Sequence, residues 1–99
     1  MFSVYVTCKD KKEARKIAQA LLQKKLIACA NIFPVESYFL WHGKLDEASE
    51  VALLAKTTER KIDAIRELIT HLHSYEVPVI SCWSGKANAA AEKWVEDEL

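Results

Sequence analysis

No part of the chain narrows its fold as far as the stretch from Leu26 to Thr57, which carries two β-prone runs, Ile27 to Trp41 and Val51 to Lys56. They are joined across His42-Gly43-Lys44, whose glycine suits a hairpin turn that needs left-handed backbone. Side chains alternate along a strand, so Tyr38 and Leu40 point to one face of the first arm and Phe39 and Trp41 to the other. Both faces are therefore apolar near the tip. A chain of 99 residues buries only about two-thirds of the surface its unfolded form exposes. It has few helices to spare for such a hairpin, so a second copy of the chain is expected to cover part of it. Two details qualify the hairpin. Pro34 cannot donate to a ladder and predicts a bulge, a bend or a place where one neighbouring strand stops in the first arm. The polar run Leu45-Asp46-Glu47-Ala48-Ser49-Glu50 predicts a loose turn before Val51 restores the strand.

The rest of the chain supplies strands and helices around this hairpin. Phe2 to Cys8 is rich in β-branched and aromatic residues and reads as a first strand. Asp10 can cap a helix, with Glu13 at the capping-box spacing, and Ala14, Ile17, Ala18, Leu21 and Leu22 then recur at helical intervals to about Lys25. Beyond Thr57-Thr58, either of which can cap, Ile62, Ile65, Leu68, Ile69 and Leu72 mark a second helix that closes with His71 and His73. Val77 to Trp83 reads as a last strand whose Pro78 favours an edge, and Ala87 to Leu99 as a short terminal helix. The order β-α-β-β-α-β-α predicts an α+β fold. It is the ferredoxin-like split βαβ sandwich with a long β-hairpin and an extra C-terminal helix, a single domain over residues 1–99. Right-handed crossovers put both main helices on one face of the sheet and leave the other open.

Composition excludes several functions. Fourteen Lys+Arg balance fourteen Asp+Glu, so no net field gathers nucleic acid or anionic lipid. No apolar run approaches the roughly 20 residues of a membrane span, and the expected location is the cytosol. Cys8, Cys29 and Cys82 show no C-x-x-C spacing and read as free thiols. They cannot hold an iron–sulfur cluster, and Val51 to Lys56 lacks the aromatics of an RNA-reading strand. With only Gly43 and Gly85 there is no phosphate-cradling loop. No local signature pairs a thiol with His42, His71 or His73 as a nucleophile, so no catalysis is expected. The densest polar cluster is His71-Leu72-His73-Ser74-Tyr75-Glu76-Val77-Pro78, a helix stop that could also hold a cation or small ligand. On a regular helix His71 and His73 diverge, so one of them at most is a ligand unless the helix ends between them.

Val4-Tyr5-Val6-Thr7-Cys8, Leu26-Ile27-Ala28-Cys29-Ala30-Asn31, Trp41-His42-Gly43-Lys44, Glu50-Val51, Lys56-Thr57 and Leu72-His73-Ser74-Tyr75-Glu76-Val77-Pro78 together closely resemble the divalent-cation tolerance proteins, the CutA family. The blocks keep the family's order and spacing nearly end to end. The resemblance implies a cytosolic homotrimer built by long hairpins, linked to tolerance and binding of divalent metals, copper especially, with no organic cofactor. By the same likeness His73 matches the histidine implicated in copper binding, and the metal site is expected at His73 with Cys8 or Cys29 as thiol partner and Glu76 as a carboxylate. Trp41, Lys44, Glu50, Lys56, Tyr75 and Glu76 match positions at the hairpin and near an intersubunit cleft. There are departures. Ser74 stands where proline is usual, Val79 where a glutamate often follows the proline, His42 where an acid is common, and Leu72 removes a second histidine. Cys8 lies later in the first strand than the thiol of copper-binding members. The alternative reading is a module like the PII signalling proteins, binding a small ligand or an unidentified protein partner at such clefts.

Overall fold

Alternation along the first strand decides the layering. Val4, Val6 and Cys8 are buried while Ser3, Tyr5 and Thr7 between them are not. A computed structural model describes residues 1–99. It runs β1 (Phe2–Cys8), α1 (Lys11–Gln23), β2 (Cys29–Trp41), β3 (Lys44–Thr57), a 3-10 turn (Glu59–Lys61) continuing into α2 (Ile62–Leu72), β4 (Ile80–Ser84) and α3 (Ala89–Glu98). The four strands form one antiparallel sheet in the order β2-β3-β1-β4. This is the expected α+β ferredoxin-like arrangement, with the third helix added.

The register Val4↔Ala55, Val6↔Leu53 and Cys8↔Val51 puts these six apolar residues of the two central strands on one face. There they pack with Ala14, Ile17 and Leu21 of α1 and Ile65 and Ile69 of α2 as one buried core. Asp10 caps α1 by accepting from the Glu13 amide at 2.8 Å. The helix stops at Gln23, two residues short of the expected end. Leu26 N–H bonds to Leu21 O and Lys25 N–H to Leu22 O, with Lys25 left-handed at φ 54°, which is the Schellman closure. Neither threonine before α2 caps it. The Thr57 hydroxyl donates to Leu26 O at 2.6 Å, and the buried Thr58 hydroxyl has no partner. No helix is long and apolar enough to cross a membrane.

The hairpin differs from its expected form at two points. Pairing is one-to-one from Cys29↔Lys56 to Trp41↔Lys44, so Pro34 makes no bulge, but its partner Val51 is the residue at which β1 stops. Hydrogen-bonded and open pairs alternate from the tip, and Pro34↔Val51 is an open one. The position where Pro34 lacks an N–H thus faces the free edge of the outermost strand. Leu45 to Glu50 is regular strand rather than loose turn. It is polar because β1 ends at Cys8↔Val51, so β2 and β3 continue alone, wet on both faces. His42 (φ 50°) and Gly43 (φ 78°) close the tip as a two-residue turn of type I′. β4 starts at Ile80, not Val77, because its pairing with β1 reaches only Val6↔Ile80. α3 begins at Ala89, after Asn88. The N-terminal amine, which bonds Glu92, and Arg60, which bonds Glu96, tie α3 down.

Candidate metal centre

Three chain segments meet where β1 ends, α1 begins and α2 stops. α2 ends at Leu72, between the two histidines, and the backbone of His73 is extended at φ −75° and ψ 142°. His71 is left exposed on the last turn, whereas the His73 side chain turns inward and is wholly buried. Its Nε2 lies 2.8 Å from the Thr7 carbonyl, which can only accept, so Nε2 carries the proton. Nδ1 is then the lone-pair nitrogen and accepts from the Tyr75 amide at 3.1 Å.

Opposite that nitrogen is Glu13, whose sequence position marks it only as a capping residue. Its carboxylate accepts from the Lys9 amide at 3.0 Å and from the Ser74 amide at 2.9 Å, so it joins the start of α1 to the exit of α2. Burial by itself raises the Glu13 carboxyl. Hydrogen bonding from Ser74 and Lys9 outweighs burial and holds it below the usual carboxylate range. The Cys8 thiol completes the group. Burial first, then the carboxylates of Glu13, Glu50 and Asp10, push it up to about 12, so it carries its proton. Nothing in the local sequence points Glu13 toward Ser74, 61 residues away.

Donor atoms of Cys8, Glu13 and His73 all lie within 4.8 Å of one another. Zinc-class ions bond such donors at about 2.0–2.3 Å, which sets them roughly 3.5 Å apart. The group thus fits a borderline or soft divalent ion after a small contraction. The second nitrogen of His73 is fixed on a backbone carbonyl, as metal-ligating imidazoles usually are.

The other sequence candidates are spread around this centre. The Tyr75 ring lies 4.7 Å from the His73 ring, and its hydroxyl donates to Glu50 Oε1 at 2.7 Å. Burial and that hydrogen bond raise the Tyr75 hydroxyl above its ordinary range. Glu50 stands where the hairpin leaves the four-stranded sheet. Glu76 is exposed. Cys29 pairs with Lys56, whose parity is opposite to that of Val51, so both lie on the sheet face away from Cys8. Trp41 and Lys44 pair at the hairpin tip, six residues or roughly 20 Å beyond Glu50. Within one chain neither reaches His73.

The family described as CutA1 divalent ion tolerance protein matches residues 2–98. The divalent-cation tolerance protein CutA of Archaeoglobus fulgidus is 44% identical over 77 residues, 78% of this chain and 76% of that one. A CutA homolog of Xenopus laevis is 41% identical over 97 residues, which are 96% of this chain and 64% of the frog protein. The match spans 54% of the mouse protein CutA. Among solved structures, that of the periplasmic divalent cation tolerance protein CutA from Archaeoglobus fulgidus superposes with a TM-score of 0.95 at 36% identity, covering 99% of this chain and 98% of that one. The divalent cation tolerance protein of Thermus thermophilus gives 0.94 at 34%, with coverage of 99% and 98%.

Proposed function

The chain belongs to the CutA1 divalent ion tolerance family, and from that premise we propose that it is a cytosolic homotrimer that binds copper or another divalent or soft metal ion and catalyses no reaction. The observation that carries the metal reading is the inward turn of His73 beside Cys8, which sets an imidazole nitrogen and a thiol together in the buried interior of the fold. The support for assembly is the hairpin beyond Glu50, where Tyr38 is 73%, Leu40 68% and Leu45 89% exposed. Apolar side chains on a two-stranded ribbon leave an exposed surface that further copies of the chain would bury. Copper titration of the intact protein beside His73→Ala, with light scattering on both, tests the reading. The expected result is a trimeric mass, and an affinity at least about tenfold weaker in the variant. Unchanged stoichiometry and affinity would remove His73 from the site, and a monomeric mass at micromolar concentration would sink the trimer.

A further inference from the structure

The reading of His73 as a metal ligand leaves its carboxylate to Glu76, which is exposed. We propose that Glu13 supplies it: Cys8 Sγ, Glu13 and His73 Nδ1 form a three-donor site for a zinc-class divalent ion inside each subunit. The proposal rests on the metal reading above and goes beyond it by making the site independent of the subunit interface.

Three observations carry the assignment. The first is convergence. Donors from the end of β1, the first turn of α1 and the residue after α2 come within 4.8 Å, although the residues are distant in sequence. The second is the face-to-face placement of two acceptors. His73 Nδ1 and Glu13 Oε1 are 4.0 Å apart, too far for a hydrogen bond, and no proton is available on either. Each is occupied instead by a backbone amide, Tyr75 N–H on the ring and Lys9 N–H on the carboxylate. Nδ1 has one lone pair, so a cation bound there displaces the Tyr75 amide, and it is attracted by the ring nitrogen and the carboxylate at once. The third is desolvation. Cys8 and the His73 ring are fully buried and Glu13 is 9% exposed, so an ion there meets donors and not bulk water.

Thiol, imidazole and carboxylate together select a borderline ion over calcium or magnesium, which take oxygen donors. Binding forms one metal–sulfur bond, and the Cys8 thiol gives up its proton to solvent as that bond forms. The fourth position is left to water. Glu76 is exposed and Cys29 lies on the other sheet face, so neither competes for this ion within the subunit.

Cobalt(II) is the probe, because a thiolate bound to it gives an intense charge-transfer absorption that imidazole and carboxylate do not. The intact protein is expected to bind one Co2+ per chain with that absorption, to release one proton per ion, and to exchange Co2+ for Zn2+. Cys8→Ser is expected to abolish the absorption. Glu13→Gln should weaken binding by at least about a hundredfold, since even residues behind the ligands typically cost 10–100-fold. Because Glu13 also holds backbone amides, zinc X-ray absorption on the unaltered protein provides a second measurement, with one sulfur and one nitrogen expected among oxygen donors. Cobalt absorption that persists in Cys8→Ser, or affinity lost in Glu76→Gln and kept in Glu13→Gln, overturns this site and leaves the metal reading standing. Absence of any Co2+, Zn2+ or copper binding overturns both.

Discussion

The root and the arm of one hairpin obey the same strand geometry and meet opposite fates. In the root, Ala30, Ile32, Leu53 and Ala55 pair in β2 and β3 and join the helix-covered core. In the arm, from Val35 to Glu50, the same one-to-one pairing continues, yet Leu40↔Leu45 lies almost bare. The pairing register is unbroken through both, so pairing alone does not bury a strand. A third layer does, and the chain supplies one only as far as β1, α1 and α2 reach. An isolated two-stranded ribbon is marginal in water, which is why the arm invites another copy while the root needs none.

The largest expected contrast compares one leucine from each region. Leu53→Ala removes a fully buried side chain and should cost about 2–5 kcal/mol in guanidinium unfolding at any protein concentration. Leu45→Ala acts on a side chain that its own chain leaves bare, so its intrachain effect should stay within about 0.5 kcal/mol. Its loss should appear only as protein concentration rises and copies associate. Equal, concentration-independent losses at the two sites would show that the arm is held by its own chain, and the contrast would break.

Acid sharpens the contrast from the root side, where Glu13 is nearly buried while Glu47 on the arm is exposed. Folding lowers the Glu13 carboxyl, so its stabilisation is complete above the unfolded value of about 4.3 and fades as pH falls through the lower folded value. Charged hydrogen bonds of this kind contribute about 1.5–3 kcal/mol each. Glu13→Gln should therefore lower stability near neutral pH and flatten the acid limb of the stability curve, with Glu47→Gln changing neither. An acid limb that survives Glu13→Gln would assign it to other carboxylates.

How much of this was legible in the sequence follows from the range over which each interaction acts. Alternation, capping and turn chemistry are local, so β1, the Asp10 cap, the Gly43 turn and the element order could be read directly. Pro34 and Leu45 to Glu50 could not, because their meaning depends on a third strand. Pro34 is harmless only because β2 is an edge, and the polar run is strand only because β1 has already stopped. The candidate site divides the same way. His73 was readable from a motif and the end of α2, and Cys8 from the end of β1. Glu13 was concealed by a local role, capping, that it performs alongside a contact 61 residues away. Cys29 was grouped with Cys8 by residue type, and strand parity separates them by one sheet thickness.

One side-chain hydrogen bond links the arm to the rest of the chain, from the Tyr75 hydroxyl to Glu50. Tyr75→Phe keeps the ring against His73 and removes only that donor, at a cost of about 1 kcal/mol. Amide exchange should then quicken in Val35 to Glu50 and not in the root pairs of Cys29 to Phe33. Uniform acceleration of both would mean that arm and root open as one unit.

The smallest effect concerns two left-handed residues, one leading into the root and one at the tip. Lys25 closes α1 at φ 54°, where the usual occupant is glycine, and Gly43 holds φ 78° with nothing within 4 Å of the Cβ it lacks. Strain at Lys25 costs about 1 kcal/mol or somewhat more, and Lys25→Gly relieves it while adding freedom to the unfolded chain worth about 0.4–1 kcal/mol. The net expectation is a gain of a few tenths of a kcal/mol in the guanidinium midpoint. Gly43→Ala runs the other way, losing about 1 kcal/mol through backbone conformation alone, since the added methyl meets no atom. The gain should register in root and arm together, because Lys25 is fixed to the core through Leu21 and Leu26. The loss should be felt first in the arm. If Lys25→Gly lowers the midpoint, the Schellman closure holds its lysine without strain, and the lead into the root is less constrained than the turn at the tip.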